Sequence, residues 1–227
     1  MNHQSLKQYI ELYHLGGIAD FFIDNSTPQK TMSIQKEFIE VDAFRFLIEK
    51  YKDCTRCEYH KSNKRIIHGF GKPKVNCMII GLPPTYDEIK IGKPFHFILE
   101  LGEMFRKIFK EIQIKKDDYY VTNIIKCKAN NYEMSEVCKC LPYIHEQFEI
   151  VKPKILLIFG VFAANAFLGK QEKIEYYQQN QGLDFKGVPV YVTYNPSELK
   201  DDARLKKPAW GDLQKFRDRY LKLVIEN

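Results

Sequence analysis

The sequence predicts an α/β protein: a three-layer α/β/α sandwich around a central four-stranded parallel sheet, with an N-terminal helical extension. Short apolar runs ended by turns alternate with segments of helical period from residue 74 onward, whereas residues 1–50 carry helical patterning only. Strands that alternate with helices form a parallel sheet covered on both faces, so each strand reads as apolar throughout.

The elements follow in order. Leu6, Tyr9, Ile10 and Tyr13 recur at helical spacing until Gly16-Gly17 breaks the pattern. Asn25-Ser26-Thr27-Pro28 reads as a loop, and a second helix runs from Val41 to Tyr51. Residues 1–50 are therefore set apart as a helical extension, and 51–227 as the main domain. Val75-Asn76-Cys77-Met78-Ile79-Ile80 is a buried strand that enters the loop Gly81-Leu82-Pro83-Pro84. Leu99 to Ile112 is a helix, Tyr119 to Ile125 a strand and Ser135 to Glu149 a helix. Ile155 to Phe159 is a strand stopped by Gly160, with a helix from Val161 to Leu168 behind it. Val188 to Tyr194 is a strand that tolerates Pro189 because it lies at the start. The last helix runs from Trp210 to about Val224. Ligands of such sheets bind beyond the carboxyl ends of the strands. The loops after the first, second and fourth strands are thus where chemistry is expected.

Bulk composition narrows the class. A chain of 227 residues with 44% hydrophobic residues suits one domain with a full core plus an extension. No apolar run approaches a membrane span and Met1-Asn2-His3-Gln4 opens no signal peptide, so the expectation is a cytoplasmic protein without a membrane. A net charge of +6 favours a polyanionic partner, though solvated Lys-rich helices give the same balance. In a reducing compartment, six cysteines are metal ligands or buried thiols rather than disulfides. Cys54 and Cys57 form a C-x-x-C pair, and Cys127 and Cys140 follow far downstream; such a set can close four-coordinate sulfur ligation. Zinc and iron–sulfur both suit it, and Cys138 rivals Cys140 for the fourth place. Cys77, inside a strand, reads as a small buried hydrophobe.

The three loops carry Gly81-Leu82-Pro83-Pro84-Thr85, Asn123 with Lys126-Cys127, and Asn195-Pro196-Ser197-Glu198-Leu199. Here the sequence resembles the uracil-DNA glycosylase superfamily, most closely its iron–sulfur family 4. The family motif G-E-A-P-G-x-x-E-D-x-x-G-x-P-F is matched in register by Gly81, Pro84, Glu88, Gly92, Pro94 and Phe95. T-N-x-x-K-C stands as Thr122 to Cys127. E-x-x-x-C-x-P-Y-L resembles Glu136 to Ile144, and W-x-D-L is Trp210-Gly211-Asp212-Leu213. Some members also carry a helical extension at the N-terminus.

The resemblance implies a DNA-repair enzyme that flips uracil out of DNA and hydrolyses its N-glycosidic bond, leaving an abasic site. It implies that Phe95 stacks on the base, Asn123 reads its edge, and Leu82 and Pro84 line the substrate site. Asn195 would stabilise the departing anion. Pro196 and Ser197 would press on the DNA backbone and Leu199 would wedge into the vacated stack. Cys54, Cys57, Cys127 and Cys140 would hold a structural 4Fe–4S cluster. The partner is uracil-containing DNA, single- or double-stranded, and such hydrolysis suits a monomer. Lys64, Arg65, Lys72, Lys74 and Lys93 are candidate phosphate contacts.

Two departures fall in the active site. Leu82 replaces the family's Glu, as in family 5, and Asn195 replaces its His, as in the mismatch-specific members. Asp87 and Glu88 are then the nearest carboxylates by sequence for handling water. Non-catalytic lesion binding, shifted specificity for hypoxanthine or xanthine, and a metal protein unrelated to DNA stay as alternatives. Arg65-Ile66-Ile67-His68 resembles a loop with which a related branch traps uracil covalently, but it precedes the first motif instead of following it, so the covalent reading is set aside.

Overall fold

The computed structural model describes residues 43–62, 65–95, 100–115 and 117–225. The first expected helix and its loop lie outside these residues. Contacts divide the chain between Ile39 and Glu40, and every described residue belongs to the second unit.

The sheet has five strands in the order β2-β1-β3-β5-β4. They are β1 (Cys77–Gly81), β2 (Tyr119–Asn123), β3 (Ile155–Phe159), β4 (Leu183–Phe185) and β5 (Val188–Thr193). β2, β1, β3 and β5 are parallel neighbours, as expected. β4 is an addition to the four expected strands and pairs antiparallel with β5 at the sheet edge. A two-residue turn joins the pair, with Lys186 and Gly187 at φ 53° and 82°. Those dihedrals give the turn the twist that an antiparallel hairpin requires.

The helices are α1 (43–51), α2 (Tyr86–Ile91), α3 (Glu100–Glu111) and α4 (Met134–Val151), then α5 (Val161–Leu168), α6 (Ile174–Gln179), α7 (Pro196–Asp201) and α8 (Lys206–Ile225). Alternate strand residues face opposite layers. Met78, Ile80, Leu156, Ile158, Val190 and Val192 pack with Val137, Ile144 and Phe148 of α4 and Ala163 and Phe167 of α5. Ile79, Val121, Leu157, Phe159 and Tyr191 pack with Phe105 and Phe109 of α3 and Leu213, Phe216 and Tyr220 of α8. The three-layer sandwich is thus written in the strand alternation.

The expected boundary at residue 50 falls inside α1. Leu47 and Tyr51 of this helix pack on Tyr143 of α4, and Tyr51 donates to Glu146 Oε1 at 2.7 Å. Among the described residues no helix is long and apolar enough to cross a membrane.

Candidate active site

β1 lies between β2 and β3, so the chain leaves its carboxyl end in a crevice between diverging connections. A cleft of about 530 Å³ opens there. Its lining includes Leu82, Asp87, Glu88, Phe95, Asn123, Asn195 and Ser197, which joins most of the residues the sequence singled out. Pro84 and Pro196 are buried beside it.

Phe95 is held in place by its neighbours. Its φ is 51°, a region that a bulky residue enters only when the surroundings enforce it. Glu88 supplies the enforcement: Phe95 N–H donates to its Oε1 at 2.5 Å and Thr85 N–H to its Oε2 at 2.6 Å. Thr85 Oγ1 accepts from Glu88 N–H, which completes a capping box at the start of α2. The Phe95 ring meets Phe105 edge-on at 4.0 Å between centroids. Gly81 lies under the ring, where a Cβ would come within 2.2 Å of it. Both Glu88 oxygens are therefore committed to the backbone, whereas Asp87 is exposed at the cleft.

Asn123 ends β2 at 2% exposure. Its Nδ2 donates to Leu82 O at 2.7 Å, and its Oδ1 is buried without a partner. A buried unpaired acceptor is costly and marks a place where a ligand donor belongs. Behind it, Lys126 Nζ donates to Asn123 O at 2.9 Å, to Gln147 Oε1 at 2.7 Å and to Thr122 Oγ1. Gln147 Nε2 in turn donates to Tyr120 OH and His68 O. Burial pulls the Lys126 ammonium down to about 7, with the Cys140 thiol opposing it.

Asn195 caps α7. Its Oδ1 accepts from Ser197 N–H at 3.0 Å and Ser197 Oγ at 2.8 Å. Two donors aimed at one atom fix the amide, so Nδ2 is the end left to donate. Gly160 (φ 94°) passes beneath, and a Cβ there would lie 3.2 Å from Leu82 and 3.6 Å from Asn195. Leu199 is 5% exposed, and its apolar side chain packs inward from α7.

Cys57 and Cys127 are buried, Cys54 and Cys140 half-buried and Cys138 exposed. Burial pushes the Cys127 thiol up to about 12, and the neighbouring Cys57, Cys140 and Cys54 thiols add to the rise. Burial also raises Cys140, with Lys126 opposing it and Cys57 and Cys54 adding smaller rises. The four thiols thus sense one another. Cys138 lies two positions from Cys140 on α4, and residues so spaced point to different sides of a helix. Among the described residues no three His, Cys, Asp or Glu side chains close into a metal-binding group. The donor chemistry of these four thiols fits an iron–sulfur cluster. Burial raises Cys77 well above the usual thiol range, as suits a core residue.

The Lys126–Gln147 support, the close approach at Gly160, and Tyr132 and Lys200 on the cleft lining are not visible in the sequence. Lys126 stands in a visible motif, but nothing in the sequence indicates that it turns back onto Asn123.

One cleft beyond the carboxyl ends of the parallel strands thus joins the Phe95 ring, the buried unpaired Oδ1 of Asn123 and the amide of Asn195. A sequence model of the uracil DNA glycosylase superfamily matches residues 68–214, and the chain belongs to that superfamily. It is 30% identical to the Type-4 uracil-DNA glycosylase of Pyrobaculum aerophilum, over 74% of this chain and 88% of that protein. The Type-4 uracil-DNA glycosylase of Archaeoglobus fulgidus is also 30% identical, over 75% and 89%. That of Thermotoga maritima is 27% identical, over 74% and 86%.

Proposed function

We propose that this protein removes uracil from DNA by hydrolysing the N-glycosidic bond, leaving an abasic site. The unpaired, buried Asn123 Oδ1 on the cleft lining carries the reading. Uracil presents N3–H beside a carbonyl, so it satisfies Oδ1 and accepts from the remaining Nδ2 proton. Cytosine presents an acceptor at N3 and would leave Oδ1 unpaired, a mismatch that buried polar sites reject strongly.

The steps follow from the lining. Phe95 receives the flipped base as an apolar wall, with Leu82 and Pro84 shaping the same end. As the C1′–N1 bond breaks, its electron pair leaves with uracil, and Asn195 Nδ2 donates to the developing charge at O2. A water oxygen bonds to C1′. Asp87, whose carboxylate is exposed at the cleft, orients that water and takes its proton. Glu88 positions Phe95 through its two backbone hydrogen bonds, and its remaining lone pairs can take a second hydrogen bond from water beside Asp87. Ser197, half-buried at the head of α7, would meet the DNA backbone, with buried Pro196 setting the turn behind it. Cys54, Cys57, Cys127 and Cys140 would hold a 4Fe–4S cluster, which supplies a cross-link between three chain segments and no redox step. A monomer in the cytoplasm suffices for this work.

Anaerobically purified protein is to be given oligonucleotides with uracil, hypoxanthine, xanthine or thymine, single- and double-stranded, with alkali to reveal abasic sites. Cleavage at uracil is expected. Leu82 in place of a carboxylate favours a second reading, binding without cleavage. Tight uracil-dependent binding with no abasic product would establish that reading instead. Iron should be retained in Cys138→Ser and lost in Cys140→Ser.

A further inference from the structure

The rim of the cleft carries an aromatic ring that the base-reading machinery does not use. Tyr86 opens α2 between Thr85 and Asp87, both of which line the cleft, and is 67% exposed. Lys128, from the segment that follows Cys127, holds its ammonium 5.9 Å from the centre of the Tyr86 ring. A single exposed tyrosine is ordinary. One beside a ligand cleft, with a cation over its ring from a segment 42 residues away, is a shaped surface. Lys128 also donates to Asn130 Oδ1 at 2.7 Å.

We propose that Tyr86 is a stacking shelf for the nucleobase adjacent to the one in the cleft, and that this subsite takes single-stranded or locally splayed DNA. The proposal rests on the uracil reading of the cleft. Its chemistry is base against aromatic face, which is sequence-tolerant because every base has a π-face. Phosphate is disfavoured here, since Asp87 and Glu88 occupy the first turn of α2. Backbone charge is instead met by Lys128 and by Lys200 of the cleft lining. A neighbouring base in an intact duplex is stacked on both faces and cannot lie on the ring. The shelf therefore favours a strand that is already open.

The test is a double-mutant cycle on the full-length protein, read as binding affinity. The probes are single-stranded oligonucleotides with a hydrolysis-resistant uracil nucleotide, in which the base on one side or the other is present or replaced by an abasic residue. Removing the base on one side should weaken wild-type binding about tenfold. Tyr86→Ala should weaken binding to the complete strand about as much and become indifferent to that removal, while Tyr86→Phe behaves as wild type. Duplex affinity should change less than twofold in Tyr86→Ala. Additive losses, or equal binding by wild type and Tyr86→Ala, overturn the shelf. A parallel series with thymine in place of uracil separates the two claims. Equal affinity of wild type for both bases defeats the uracil reading, while the coupling between Tyr86 and the adjacent base still decides the shelf.

Discussion

The two asparagines of the cleft stand at the ends of different strands and present opposite ends of the same amide. Asn123 spends Nδ2 on Leu82 O and leaves Oδ1 bare; Asn195 spends Oδ1 on Ser197 and leaves Nδ2. One residue type thus presents an acceptor in one place and a donor in the other, which under the proposed function read a neutral N–H and meet a developing anion. The neighbours decide which, and a motif that records only the letter N cannot.

Substitutions that break this opposition should differ in kind. Asn195→Ala removes a donor needed only as charge develops, so kcat should fall about 100- to 1000-fold with KM little changed. Asn123→Ala removes ground-state reading. Uracil affinity should fall about tenfold or more, and discrimination against thymine with it, in a competition binding assay. Lys126→Met leaves Asn123 O without its ammonium donor and should raise KM several-fold at nearly constant kcat. It should also lower stability by about 1–3 kcal/mol, measured by urea unfolding, because buried acceptors lose their partner.

The smallest effect concerns acid. Burial holds His68 down to about 4, with Lys126 adding to the depression. The unfolded chain takes up this proton first as pH falls, so the contribution is full above about 6.5 and is lost between there and 4. Partial exposure limits it to about 1–2 kcal/mol. His68→Asn should flatten the fall in urea stability across that window.

Much of this was legible in sequence. The four parallel strands and their carboxyl-end loops follow from apolar runs that need burial on both faces. β4 was not legible, because Leu183–Phe185 is three residues long and only half-buried. The motif at Asn195–Leu199 reads as a loop and no element is expected over α2, yet both are short helices. Thr85 with Glu88 and Asn195 with Glu198 each have the spacing of a capping box, and each forms one. That spacing marks Glu88 as an architectural carboxylate. The inward packing of Leu199 is set by tertiary contacts that no motif position records. The convergence of Cys127 and Cys140 on the Cys54–Cys57 loop rested on the motifs, since nothing local to α4 separates Cys138 from Cys140 except the helical turn between them.

Uracil methylated at N3 tests the opposed amides most directly. The methyl group removes the proton assigned to Asn123 Oδ1 and leaves O2, the site assigned to Asn195, untouched. Wild-type protein should bind and cleave an oligonucleotide bearing the methylated base at least 100-fold less well than one bearing uracil, while Asn123→Ala treats the two within a few-fold of each other. Equal handling of both bases by the wild type would contradict the assignment of Asn123 as the residue that reads uracil.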